Sequence, residues 1–307
     1  MSALERLLYL LGIPEDRAEL LYEHGIFSLE ALLFYSPLEI SRILNISLEE
    51  AKRVLHEAFK MTPFKLITLR DFLKEAKEKR FTTGCKSLDS LLGGGIPLGS
   101  ITEFVGEFGT GKTQICHQLC ITIQLSRDKG GLGLKALYID STGSFRPERL
   151  IQIARRFNLD EAMSLKGIFH IRVHTFAQQY AAILRSSNLI SRGLGLIILD
   201  SISSPLRSEY ASDIVKRRWA LSRLLHELRI IAKKDIAIVM TNDVITDPYT
   251  GISRPVGASI LNEAIDMRVF LYKEKNDEYV AELTYSLDLP RKRVKFRISS
   301  FGIMDVN

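Results

Sequence analysis

Eight consecutive residues carry the densest chemical signal in this chain: Gly106, Glu107, Phe108, Gly109, Thr110, Gly111, Lys112 and Thr113. The spacing G-x-x-x-x-G-K-[ST] lets the backbone wrap closely, so that successive N–H groups point at phosphate oxygens. The apolar run SITEFV leads in, and a helix-period run, TQICHQLC, leads out through Gln114. The start of that helix adds positive potential. In such a cradle Lys112 reaches the terminal phosphates of a nucleoside triphosphate, and the Thr113 hydroxyl ligates Mg²⁺. A second acidic position fits: GLIILD ends an apolar strand on Asp200. Open α/β sheets bind ligands at the carboxyl ends of their strands. Asp200 is expected to hold Mg²⁺ there, and the plainer role is a buried carboxylate capping the next turn.

A further strand end, YIDSTGSFRPER at 138–149, raises a question of reactivity. Hydrolysis needs a carboxylate near it to take a proton from water. The strand ends on Asp140, and then come Ser141, Thr142, Gly143 and Ser144.

The elements that must position these residues fall into two patterns. From Phe81 onward, short β-branched runs (SITEFVG, KALYIDS, IFHIRVH, LGLIILDS, DIAIVMTN) alternate with helical segments. That alternation predicts α/β architecture with a mainly parallel sheet and covering helices. MRVFLYKE, YVAELTYS and RVKFRIS follow without obvious helices and predict an antiparallel extension. Residues 1–60 instead show apolar residues at three- and four-residue spacing, punctuated by Gly12, Gly25 and Pro37, which predicts a small all-α domain of helix-turn-helix units. Ser47 with Glu50 has capping-box spacing. Residues 61–80, with a break at Pro63, read as a linker before a core at 81–307. No internal repeat stands out.

Composition sets outer bounds. The 307 residues are 46% hydrophobic and 25% charged, as in ordinary globular proteins. No apolar run reaches the ~18 residues that span a bilayer, so no membrane partner is expected. The first residues are not read as a signal peptide. Three cysteines give no disulfide framework, and a reducing, cytoplasmic setting (nuclear in a eukaryote) is expected. The net charge of +6 is uneven: residues 1–60 hold ten Asp/Glu against six Lys/Arg, so the larger part is the basic one. That suits a polyanion partner, though a solvated surface with mild bias gives the same balance.

The stretch FTTGCKSLDSLLGGGIPLGSITEFVGEFGTGKTQICHQL strongly resembles the ATPase core of the archaeal RadA and eukaryotic Rad-type recombinases, relatives of RecA. FRPERL, ILDS, RSEY and MTN follow in that family's order, and the N-terminal helices, including SLEEAKRVLHEA, look like its helix-hairpin-helix domain. The resemblance implies a RecA-like P-loop core that binds ATP and Mg²⁺ between subunits of a filament on single-stranded DNA. Carried over by position, Arg149 packs on the adenine, and Asn242 and Asp243 face the γ-phosphate. The family's water-activating glutamate is Thr142 here. A hydroxyl is no base near neutral pH, and losing a positioned base costs about 10²–10⁴-fold in rate. Asp243 stands where the family has glutamine. Asp243 or Asp140 is the candidate substitute base, beside Lys112 as the other catalytic group.

Other departures touch assembly and DNA. The linker's Phe-x-x-Ala anchor is represented by FKLI, with Ile67 at the alanine, and the cap segment before Leu289-Pro290 has Tyr285 and Leu287 at its acidic and proline positions. The first DNA loop of the family corresponds to a run containing Lys216, Arg217, Arg218 and Trp219; cations beside an aromatic hold phosphates and stack a base. The same run reads equally as the exposed start of an amphipathic helix. The second loop keeps Arg254. In RKRVKFR, Arg293, Lys295 and Arg297 share one strand face, a basic groove or an ordinary solvated surface. Three readings follow. The first is an ATP-holding accessory of recombination and repair that works with single-stranded DNA and with itself or a RadA-type recombinase. The second is a fully active DNA-dependent ATPase and strand-exchange recombinase. The third is an ATP-gated protein–protein switch.

Overall fold

The computed structural model describes residues 3–62, 68–71, 74, 79–210, 213–246, 253–274 and 278–306. The chain divides into two compact units, Met1–Asp71 and Phe72–Asn307. Much of the expected linker, including Pro63 and the FKLI segment, lies outside the described residues.

The first unit is helical, with helices Ala3–Leu10, Ala18–Glu23, Leu29–Leu32, Pro37–Leu44 and Leu48–Met61. Their apolar stripes meet in a core of Leu4, Leu7, Leu8, Leu21, Ile26, Ile40, Leu44 and Val54. The capping box at Ser47 and Glu50 is present, and Ser36 with Glu39 forms a second one. One turn recurs three times. Gly12, Gly25 and Asn45 adopt left-handed conformations (φ 70°, 76° and 49°). The N–H groups of Ile13, Ile26 and Ile46 then bond back to Leu8, Leu21 and Ser41 carbonyls. This is the 6→1 bond that closes a helix end with glycine. The repeat, unseen in the sequence, lies in Gly-Ile, Gly-Ile and Asn-Ile, where asparagine replaces the commoner residue. Around the third turn Arg17 Nη1 donates to the carbonyls of Leu44 (2.6 Å) and Asn45 (2.9 Å).

In the second unit, β1 (Arg80–Phe81) and β2 (Ile96–Pro97) form a small ribbon. The strands of the main sheet are β3 (Ile101–Gly106), β4 (Lys135–Asp140), β5 (Ile168–Arg172), β6 (Leu194–Asp200), β7 (Ala237–Asn242), β10 (Met267–Lys273), β11 (Glu278–Ser286), β12 (Lys292–Ser299) and β13 (Gly302–Asp305). Between β7 and β10 in sequence lies a short hairpin of β8 (Val244–Thr246) and β9 (Ser253–Pro255). The sheet order is β13-β12-β11-β10-β3-β7-β6-β4-β5. The six strands from β10 to β5 run parallel, and β11 to β13 are antiparallel. The expected antiparallel extension therefore begins one strand later than MRVFLYKE: helix Ala258–Ala264 precedes β10 and provides the crossover that lets it lie parallel to β3.

The central strands are buried along their whole length, as parallel strands covered on both faces must be. Alternate residues feed two cores. Ala136, Tyr138, Leu196 and Ile198 meet helices Lys112–Thr122 and Pro147–Arg156 on one face. Leu137, Ile139, Ile197 and Leu199 meet helices Phe176–Ile190 and Ile214–Ala232 on the other. Cys116 and Cys120 are free and fully buried in the first core, as expected of core positions.

One charged pair lies inside this sheet. Glu103 of β3 is 0% exposed and pairs with Arg268 of β10, while Asn242 Nδ2 donates to its other oxygen at 2.8 Å. Burial pushes the Glu103 carboxyl above its ordinary range, and Arg268 opposes that push. Removing one partner of a buried pair strands the other. Arg268→Met is expected to cost about 3–5 kcal/mol by urea unfolding, and Glu103→Leu combined with Arg268→Met to recover most of it.

Candidate functional site

At the carboxyl edge of the parallel strands a cleft of about 790 Å³ opens. Its lining joins Phe108 to Gln114 with Thr142, Ser144, Arg146, Arg149, Asp200, Thr241, Asp243 and Ser299. The loop leaves β3 at Gly106, and the helix starts at Lys112 after Gly111 in a left-handed conformation (φ 94°). Two glycines are required here, Gly106 by close backbone approach and Gly111 by its left-handed φ. A Cβ on Gly106 would meet the Leu271 carbonyl oxygen at 2.5 Å, and one on Gly111 would meet Ile298 Cδ1 at 2.8 Å. Lys112 Nζ donates to the carbonyls of Gly106 (2.7 Å) and Glu107 (2.9 Å).

Asp200 ends β6 with 2% exposure and accepts from four hydroxyls. Thr113 (2.8 Å), Tyr138 (2.6 Å) and Ser144 (3.1 Å) donate to Oδ2, and Thr241 (2.6 Å) donates to Oδ1. The Thr113 hydroxyl and Asp200 carboxylate thus stand side by side, the hard oxygen pair that suits Mg²⁺. Among the described residues no cluster of three His, Cys, Asp or Glu side chains adds a further metal site. Tyr138 and Thr241 were missed in the sequence. Strand phase could have flagged Tyr138, which lies two residues before Asp140 on the same face of β4.

Asp140, a candidate substitute base, is engaged elsewhere. Its Oδ1 accepts from the N–H groups of Thr142 (3.1 Å), Gly143 (2.7 Å) and Ser144 (3.3 Å), and Arg172 Nη1 sits 3.0 Å away. It closes its own turn and does not line the cleft. Thr142 does line the cleft, with its hydroxyl 2.7 Å from that of Ser144. Asp243 lines it too, but both its oxygens are engaged, one 3.4 Å from Lys112 Nζ and the other 2.8 Å from Arg207 Nη2. Asn242, expected to face the γ-phosphate, is instead 0% exposed beneath the cleft. Its Nδ2 is spent on Glu103 and on the Val256 carbonyl (2.9 Å), because strand alternation turns it away from Thr241.

Arg149 lies at the far end of the cleft. It donates to Gln114 Oε1 (2.7 Å), Gln152 Oε1 (2.9 Å) and the carbonyls of Ser299 and Ser300. It therefore ties helix Pro147–Arg156 to the end of β12. Its neighbour Arg146 donates its backbone N–H to His117 Nε2 at 3.3 Å. His117 is sandwiched near Tyr138 and Phe145.

Four of the five expected DNA-contacting residues are consecutive on one helix, and Arg254 lies on a separate strand. Lys216, Arg217, Arg218 and Trp219 open helix Ile214–Ala232, capped by Asp213. Residues 211–212 and 247–252, parts of the two expected loops, lie outside the described residues. Arg217 and Arg218 line a second pocket of about 250 Å³ with Ile214, Leu221, Val256 and Ile260. Arg254 is exposed on β9, two residues before Val256. Trp219 is 65% exposed with Arg223 over its ring at 5.5 Å. The run forms a helix start, and its side chains make a cationic, aromatic surface. The β12 face differs from a basic groove. Arg293 pairs with Glu282, and Lys295 with Glu274 and Glu278, all at 2.9 Å.

A parallel sheet with a glycine-rich loop, a cationic helix start and a strand-end aspartate at one cleft defines a P-loop nucleotide-binding protein with a RecA-like core. The Rad51 family model matches residues 75–306. The chain is also 36% identical to the DNA repair and recombination protein RadA of Aeropyrum pernix over 302 residues, covering 96% of this chain and 95% of that one. It belongs to the RecA/RadA recombinase family.

Buried His117 is expected to make the fold sensitive to acid. Burial pushes its imidazole from 6.5 down to about 4. The unfolded chain therefore binds the extra proton first, and stability present above about pH 6.5 is lost as pH falls towards 4. A loss on the order of 2–3 kcal/mol is expected across that window in denaturant titrations. His117→Phe should flatten it.

Proposed function

We propose that this protein is a RadA-like paralogue that binds ATP and single-stranded DNA in homologous recombination and DNA repair, acting as an accessory with slow ATP turnover. Family membership and the RadA relative support the setting. The observation that carries the slow turnover is the polar lining beside Asp200: Thr142 presents a hydroxyl, Asp140 is committed to its turn, and Asp243 is held by two cations.

Loop N–H groups and Lys112 bind the phosphates in this reading, and Arg149 borders the base. Thr113 and Asp200 are the residues that would hold Mg²⁺, which supplies charge neutralisation at the phosphates when bound. Thr142 and Ser144 position a water by hydrogen bonding but take no proton from it. Lys216, Arg217, Arg218 and Arg254 hold DNA phosphates, and Trp219 offers a face for a base. Among the described residues no helix is long and apolar enough to cross a membrane, and the partners proposed are single-stranded DNA with a second copy or a RadA-type recombinase.

Turnover with and without single-stranded DNA tests the first half. Lys112→Ala should abolish ATP binding, wild type should hydrolyse slowly, and Thr142→Glu should gain about 10²-fold or more at unchanged affinity. Fast wild-type turnover would instead favour an active recombinase. Fluorescence titration against oligonucleotides over a salt series tests the second half. Arg217→Gln with Arg218→Gln should flatten the log–log salt slope by about 1–2, and Trp219→Ala should cost about 1–3 kcal/mol. A salt-independent affinity would remove the DNA role.

A further inference from the structure

The contact between Lys112 and Asp243 has a meaning beyond slow turnover. We infer that Asp243 acts as a built-in counter-charge at the terminal-phosphate end of the cleft, and so makes this protein select nucleoside diphosphates over triphosphates. The inference rests on the nucleotide-site reading above and names the ligand class that the site prefers.

The charges lining the cleft are few. Lys112, Arg146 and Arg149 are its cations, and Asp200 and Asp243 its anions, among the described residues. Arg149 is committed to side chains and carbonyls at the opposite end. Arg146 Nη1 is likewise committed to the carbonyls of Gly143 and Phe145, both at 2.8 Å. Lys112 is thus the lining cation at the loop's helix start. Its ammonium is satisfied within the protein by two loop carbonyls and by Asp243 Oδ1 at 3.4 Å.

A phosphate beyond the second one would meet this arrangement at a disadvantage. It brings another negative charge to a lysine already facing a carboxylate. Lys112 would have to exchange Asp243 for the new anion, leaving like charges close together. Asp243 is not free to retreat. It follows β7 directly, its backbone carbonyl accepts from Val256 N at 3.0 Å, and Arg207 holds its other oxygen at 2.8 Å. A diphosphate keeps its contacts to the loop N–H groups and leaves the Lys112–Asp243 contact in place. Both side chains are largely sheltered, with 11% and 33% exposure, so screening is incomplete. A unit charge at this range shifts affinity by about ten- to a hundredfold.

Arg207 tempers the effect. Half-exposed on helix Ser203–Glu209, it neutralises part of the Asp243 charge. Removing it should deepen the discrimination, whereas a glutamine or asparagine at 243 should erase it.

The test is calorimetric titration of the full chain with Mg·ADP, Mg·ATP and the β,γ-imido analogue of ATP. Wild type should bind ADP about tenfold or more tightly than either triphosphate. Asp243→Asn should bring the ratio near one by tightening the triphosphates, with ADP changed less than about twofold. Arg207→Gln should move the ratio the other way. Equal or tighter triphosphate binding by wild type overturns the selectivity, as does an Asp243→Asn effect of the same size on all three ligands. Binding of no nucleotide by wild type overturns the nucleotide site itself, and the selectivity with it.

Discussion

The Asp200 carboxylate is the joint on which the second unit turns. A carboxyl group with 2% exposure is tolerable only when its lone pairs are filled. Here the donors come from four separate elements: Thr113 from the P-loop helix, Tyr138 from β4, Ser144 from the following turn and Thr241 from β7. The same bonds that satisfy its oxygens fix the strand ends and helix start relative to each other. The geometry of the candidate site and the stability of the fold therefore share one set of contacts.

The strand ends at this edge have been put to different uses. Asp200 gathers the hydroxyls. Asp140 is consumed by backbone N–H groups and Arg172, which fixes the turn that carries Thr142 and Ser144. Asp243 is consumed by Lys112 and Arg207. Three carboxylates thus lie at one edge of the sheet, and each is already bonded. Such an edge offers water no ready base, the feature on which the proposed slow turnover rests.

Much of this was legible in the residue order. Glycine spacing, the Lys112-Thr113 pair and the apolar run ending in Asp200 each report a local backbone requirement, and local requirements are what sequence encodes most directly. The alternation of strands and helices likewise led to the parallel sheet, apart from β10. What escaped depended on contacts distant in sequence. The pull of Glu103 on Asn242 spans 139 positions, and the hold of Arg207 on Asp243 spans 36. No periodicity announces either. The three αL turns of the first unit escaped for another reason: Asn45 performs a glycine's conformation, so a repeat of shape is not a repeat of letters.

Arg149, proposed to border the base of a nucleotide, is a strut within the protein. By gripping Gln114, Gln152 and the last carbonyls of β12, it joins the P-loop helix, its neighbour and the C-terminal hairpin through a single guanidinium. Any aromatic ring that settles against this residue leans at once on three elements, one of them β12, the partner of the terminal strand β13. Occupancy at the base end would stiffen the outer margin of the sheet, and a loosened terminal hairpin would in turn blunt recognition of the base.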